Sequence, residues 1–145
     1  MQVLAIAFIT LVLDQVSKWY IREVMTLHES IPVIPGIFHI TYILNRGAAF
    51  GILENQRWLF LAIAAVLVAA YIGLRHKLPN HWLTRLGVGM LLGGAVGNAL
   101  DRGLSGAVTD FFDFRIWPVF NVADVGICVG VALLLWYSWT HLSDS

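Results

Sequence analysis

Long apolar runs, separated by shorter polar stretches, set the rhythm of this chain. Met1–Leu13 carries no charge and continues helically through Asp14, Gln15, Val16, Ser17, Lys18, Trp19 and Tyr20. Trp58–Leu74 holds 17 residues without a charge, Leu86–Leu100 has none, and Val125–Thr140 has none behind an entrance marked by Asn121 and Asp124. At 1.5 Å per residue, a helix of this length covers about 30 Å, the thickness of a bilayer's hydrocarbon core. The pattern predicts an all-α membrane protein with four transmembrane helices, spanning approximately 1–22, 57–75, 83–102 and 121–140. A cleaved signal peptide is the rival for the first run. It is disfavoured because no Lys or Arg precedes Lys18 and no small-x-small site stands before the polar stretch.

The connections differ in character. Between the first two spans, 28–55 is too apolar for a disordered loop. Ile31–Ile37 is broken by Pro32 and Pro35, Phe38–Leu44 reads as a strand rich in β-branched and aromatic residues, Asn45-Arg46-Gly47 turns, and Ala48–Ile52 resumes. This predicts a small extracytoplasmic β-cradle between helices 1 and 2, lying at the membrane surface. The connection from Arg102 to Phe120 is short and strongly aromatic from Phe111 onward, as suits a headgroup interface. The whole of 1–145 therefore reads as a single integral membrane domain.

Composition sharpens this picture. The chain is 59% hydrophobic and 12% charged, with a mean hydropathy of +0.77, about half the charge fraction of a soluble domain. Zero formal net charge gives no case for nucleic acid. The loop Arg75–Arg85 holds three basic residues and no acid, which places it in the cytoplasm together with both termini. Lys18, Arg22, Arg46, Arg57, Arg102 and Arg115 on the other side run against that assignment. All acidic residues except Asp144 fall on the outer side, so Asp110 and Asp124 are expected at the extracytoplasmic rim. The lone Cys128 forms no intrachain disulfide and reads as a small buried apolar side chain.

A carboxylate at a bilayer rim costs up to about 3 kcal/mol to insert and so faces a partner, a cavity or a substrate. Asp14 and Lys18, four apart on one helix, read as a structural ion pair in preference to catalytic groups. Gly89, Gly93 and Gly97, and Gly126 and Gly130, have the small-xxx-small spacing of close helix packing. Packing does not explain the two Asn-x-x-Asp pairs, Asn98/Asp101 and Asn121/Asp124. One reading is interhelical hydrogen-bond glue; the other is chemistry by two carboxylates sharing one proton, with an ionised member activating water and a protonated member polarising a carbonyl. No Ser/His or Cys/His set competes, no metal-ligand spacing occurs, and no cofactor is expected. A proton relay through Asp14, Asp101, Asp110 and Asp124 is a further rival, but would need carboxylates at several membrane depths.

The ordered set Asp14-Gln15-x-x-Lys18, Asn45-Arg46-Gly47-Ala48-Ala49-Phe50-Gly51, Gly93-Gly94-Ala95-x-Gly97-Asn98-x-x-Asp101-Arg102, Val108-x-Asp110-Phe111 and Phe120-Asn121-x-Ala123-Asp124 resembles lipoprotein signal peptidase, also called signal peptidase II. The resemblance covers essentially the whole chain. It implies an intramembrane aspartic endopeptidase of the bacterial plasma (inner) membrane that removes signal peptides from diacylglyceryl-modified prolipoproteins, cutting before the lipid-modified cysteine. It also implies membrane lipids as partners, and nothing in it requires more than a monomer. Position by position, it places the catalytic pair on Asp110 and Asp124. Asn45, Asn98, Arg102 and Asn121 match positions that line the site and hold substrate, and Asp14, Lys18 and Asp101 match supporting positions. For Arg102, a lipid headgroup and Asp110 both stand as partners. Asp113, three after Asp110, is the alternative to it; the flanking Val108 and Phe111 favour Asp110. The 14-residue interval from Asp110 to Asp124 is shorter than the family's usual connection, which implies a trimmed covering loop.

Overall fold

The computed structural model describes residues 1–142; Asp144, read above on the cytoplasmic side, lies outside the described residues. Four long helices, α1 (Gln2–Val24), α2 (Arg57–Leu74), α3 (Trp82–Ser105) and α4 (Val122–Leu142), carry a three-stranded antiparallel sheet at one end. Each helix is long and apolar enough to cross a membrane, which makes this a multi-pass membrane protein. The sheet runs in the order β1 (Ser30–Ile34), β2 (Phe38–Asn45), β3 (Val108–Asp113).

Helix α3 is the axis of the bundle. Its small residues let its neighbours approach until backbone meets backbone. A Cβ at Gly94 would collide with the Ala123 carbonyl on α4, one at Gly93 with the Ala7 carbonyl on α1, and one at Gly97 with the Asp14 carboxylate. Gly130 returns the fit from α4, where a Cβ would lie 2.6 Å from the Gly87 carbonyl oxygen. α1 and α4 therefore clamp α3 from two sides, while α2 packs mainly against α3.

The expected cradle is present, with an addition the sequence reading lacked. Its third strand, β3, comes from the connection between α3 and α4, assigned above to a headgroup interface on its aromatic content. Val108–Asp113 pairs with β2 in a register that sets Asn45 opposite Val108 and Ile43 opposite Asp110. Ala48–Ile52 also departs from expectation: β2 ends at Asn45, and Ala49–Gly51 forms a single 3-10 turn with Phe50 at φ 61°. The Asn45 carboxamide stops the strand by accepting the Gly47 N–H at 2.9 Å, the side-chain turn that Asn favours. Cys128 is exposed rather than buried, because its face of α4 opens onto a cavity.

Candidate active site

The side chains of a strand alternate between faces, so the parity of β3 decides which acid points where. Phe111 packs against Ile21 of α1 and Met25, the residue that caps it. Asp110, one residue earlier, faces the opposite way, into a cavity of about 440 Å³ between the sheet, α3 and α4. Asp113 shares the parity of Phe111 and is not part of the cavity wall. It accepts the Thr41 hydroxyl at 2.6 Å and the Arg115 guanidinium at 2.9 Å. Burial pushes the Asp113 carboxyl up, but those donors and the Arg115 backbone N–H together hold it below the usual carboxylate range.

Asp124 reaches the same cavity from the first turn of α4. Asn121 and Asp124 form a reciprocal cap: the Asp124 N–H donates to Asn121 Oδ1 at 2.9 Å, and the Asn121 N–H donates to Asp124 Oδ2 at 3.1 Å. This is the arrangement by which a helix start satisfies two of its orphan donors. Asp124 Oδ1 is left to accept Asn98 Nδ2 at 2.9 Å. The second Asn-x-x-Asp pair is thus a helix cap that also fixes the rotamer of a cavity carboxylate.

Asn121 is the bridge between the two acids. Its Nδ2 donates to Asp110 Oδ1 at 2.7 Å and to Asn98 Oδ1 at 3.1 Å, and it is fully buried. Asn45 Nδ2 holds the other Asp110 oxygen at 3.3 Å. Asp110 is 2% exposed. Burial first, and the Asp124 charge second, push its carboxyl up to about 7 against the pull of the Asn45 and Asn121 donors. A carboxyl held there keeps its proton near neutrality while a neighbouring carboxylate accepts hydrogen bonds.

Beneath this pair lies a second charged cluster. Lys18 Nζ meets Asp14 Oδ2 at 2.8 Å, Asp101 Oδ2 at 3.1 Å and Asn98 Oδ1 at 3.1 Å, and neither Lys18 nor Asp14 has any exposed surface. Asp14 Oδ1 also accepts the Ala123 N–H at 2.8 Å, at the start of α4 where a helix dipole favours negative charge. Asp101 Oδ2 accepts the Thr109 N–H at 3.1 Å and so pins β3 to α3. Asp14, Lys18 and Asp101 thus form a buried ionic triad set off the cavity wall.

Arg102 makes no direct hydrogen bond to Asp110, although the Asp110 and Asp124 charges both act on its guanidinium. Its guanidinium lies 4.0 Å over the Phe60 ring and donates through Nη2 to the Gly47 carbonyl at 3.2 Å, tying the 45–51 turn to α3 at the cavity edge. Nε of Arg102 is buried without a hydrogen-bond partner in the protein. All of Asn45, Asn98, Arg102, Asp110 and Asp124 line the one cavity, whereas Asp14, Lys18 and Asp101 do not. Among the described residues no cluster of His, Cys, Asp and Glu is arranged to hold a metal ion.

Two contributors escaped the sequence reading. Gln15 Nε2 stands among Asp14 Oδ2, the Gly97 carbonyl and Asp101 Oδ1 at 3.1–3.2 Å. Its place in the Asp14-Gln15-x-x-Lys18 motif was the available signal, but no part was assigned to it there. Val125, Cys128 and Val129, at i, i+3 and i+4 on α4, supply an apolar wall running from Asp124 toward the bilayer interior.

The family profile described as signal peptidase (SPase) II matches residues 6–140. The chain is 45% identical over 134 residues to the lipoprotein signal peptidase of Halothermothrix orenii, with 92% of each chain covered. It is 46% identical over 140 residues to that of Moorella thermoacetica, covering 94% of this chain and 91% of the other. A bacterial membrane enzyme solved by the in meso method at 2.3 Å superposes with a TM-score of 0.92 at 32% identity, over 99% of this chain and 90% of that one.

Proposed function

Because this chain belongs to the signal peptidase II family, an aspartic protease family, we propose that it removes signal peptides from diacylglyceryl-modified prolipoproteins, using Asp110 and Asp124 as its acid and base. The observation that carries the reading is the convergence of one acid from β3 and one from α4 on a single cavity, bridged by the buried amide of Asn121.

The roles follow from their surroundings. Asp110, with its carboxyl raised to about 7, carries the shared proton and donates it toward the scissile carbonyl oxygen. Asp124, an acceptor toward Asn98 and Asn121, takes a proton from the attacking water. The new C–O bond gives a tetrahedral diol, and its collapse breaks the C–N bond as a proton passes to the leaving amine. Asn45 and Asn121 fix the Asp110 oxygens, and Asn98 fixes Asp124, so both acids are oriented before substrate arrives. Arg102 steadies the turn above them.

The apolar α4 wall accepts the signal helix or an acyl chain, and the cleaved bond is the one before the lipid-modified cysteine. The protein sits in the bacterial plasma membrane as a monomer with both termini and the Arg75–Arg85 loop in the cytoplasm and the cavity at the extracytoplasmic face. The test is digestion of a diacylglyceryl-modified precursor by detergent-purified protein, with the products identified by mass spectrometry. A new amino terminus at the modified cysteine, together with a far slower reaction on unmodified precursor, supports the reading. Equal rates on both precursors would remove the lipid from substrate recognition.

A further inference from the structure

Between α2 and α3 lies a second hollow of about 580 Å³, which shares no lining residue with the first. Its walls are apolar and mostly small, among them Leu61, Ala65 and Val68 on α2 and Val96, Ala99 and Gly103 on α3. A slot of this kind within the hydrocarbon layer has the apolar lining that an acyl chain takes.

The outer end of the slot sets it apart from ordinary lipid-facing surface. Arg57 begins α2 one turn before Leu61 and on the same face. Across from it, α3 runs past Gly103 and closes in a left-handed cap at Gly106, φ 75°. A Cβ built at Gly106 would lie 3.3 Å from Nη1 of Arg57 and 3.7 Å from Nη1 of Arg46. Two guanidinium groups therefore crowd one notch at the mouth of the slot. Among the described residues neither is ion-paired, the nearby Glu54 included. Arg57 is held instead against the exposed Trp58 ring, at 4.9 Å from its centroid, as an aromatic residue at headgroup depth would hold it. Like charges brought together without an acid call for an anion, and the forked guanidinium donors match phosphate.

We propose that the notch and slot bind an anionic phospholipid, with its phosphate between Arg46 and Arg57 and one acyl chain between α2 and α3. The proposal goes beyond the peptidase reading and does not depend on it. The lipid on the proposed substrate is a thioether-linked diacylglyceryl group without a phosphate, so substrate does not account for the paired arginines. Arg46 stands between Asn45 and Gly47, and its carbonyl accepts the Asn55 N–H at 3.0 Å. A phosphate on Arg46 thus anchors to the membrane the turn that carries Asn45.

Native mass spectrometry of the full detergent-purified chain, offered equal amounts of phosphatidylglycerol and phosphatidylcholine, reads the preference directly. Wild type is expected to retain phosphatidylglycerol roughly tenfold better, the scale of a pair of charge-assisted contacts. The double variant Arg46→Gln/Arg57→Gln brings the ratio to parity, with phosphatidylglycerol retention falling much further than phosphatidylcholine retention, whose own phosphate is already offset by its choline. Gly103→Leu, whose Cβ meets only Leu61 Cδ2 at 3.8 Å, fills the slot without moving backbone and lowers phosphatidylglycerol retention. Parity in wild type, or a preference that survives loss of both arginines, overturns the proposal. Inorganic phosphate abolishing the preference while Gly103→Leu leaves it intact would mean a phosphate notch without a lipid slot, and overturns it equally.

Discussion

Asp110 is where burial and the proposed chemistry pull hardest against each other. Its carboxyl, ordinarily near 3.8, stands at about 7 in the folded chain because it is buried and faces the Asp124 charge. Between those values the folded state holds a proton that the unfolded chain has released. The stability this contributes is complete below the unfolded value and is lost as pH rises through about 7. Asp110→Asn mimics the protonated carboxyl and escapes that loss. Thermal unfolding in detergent is expected to show the Asn variant more stable than wild type above about pH 7, with the gap closing as pH falls toward about 4. A gap that stays constant with pH would mean Asp110 does not hold its proton through that range. By the same logic, kcat/KM of wild type should fall on the alkaline side with a midpoint near 7, read as the upper apparent value of the coupled pair. The candidate acids Asp110 and Asp124 stood out in the sequence because charge is rare in this chain, and both face one cavity. Their proposed division of labour was not legible, since it depends on strand parity at Asp110 and Asp113 and on the Asn121 bridge, which joins residues 11 apart in sequence only after β3 has formed.

Elements hold the site through two devices, one apolar and one charged. Small residues bring α3 against α1 and α4, and the sequence announced this by its glycine spacing. Gly94→Ala would push against the Ala123 carbonyl, next to the cap that orients Asp124. It is expected to cost about 1–3 kcal/mol of stability, as overpacking does, and to lower turnover by shifting α4 from the Asn98–Asp124 hydrogen bond; unchanged unfolding and turnover would show that the interface gives way freely. The charged device is the Lys18 triad. Lys18→Met leaves Asp14 and Asp101 buried without their cation, a loss of about 3–5 kcal/mol, visible as a marked drop in the denaturant midpoint. Asp14→Asn/Lys18→Met together should recover part of it. Asp14 and Lys18 were readable as a pair from their i, i+4 spacing, whereas Asp101 joins them across 83 residues from Lys18 and needed the fold to be seen. The third strand was missed for a related reason. Val108–Asp113 has the β-branched and aromatic content of a strand, but the same aromatics suit a headgroup interface, and only pairing with β2 separates the two.

At the scale of the whole molecule, four helices and an end-mounted sheet were readable because hydrophobic length is a strong signal in a membrane protein. Orientation rests on a weaker one, the three basic residues of Arg75–Arg85 set against basic residues on the opposite side. Alkaline phosphatase, which folds only outside the cytoplasm, reports on it. Fused at Arg115, on the sheet side, it is expected to be active, and fused at His81 it is expected to be silent; the reverse pattern would invert the molecule. That placement matters to the chemistry, because water reaches a bilayer rim but not its centre, and Asp110 and Asp124 lie at the end of the bundle where the sheet sits. The account as a whole stands on those two acids working as one unit. Single-turnover cleavage of a diacylglyceryl-modified precursor by Asp110→Asn and by Asp124→Asn tests it most directly. Both variants should bind precursor and unfold cooperatively, yet cleave at least about 10³-fold more slowly than wild type. A folded variant of either kind that cleaves at the wild-type rate would contradict the shared-proton pair.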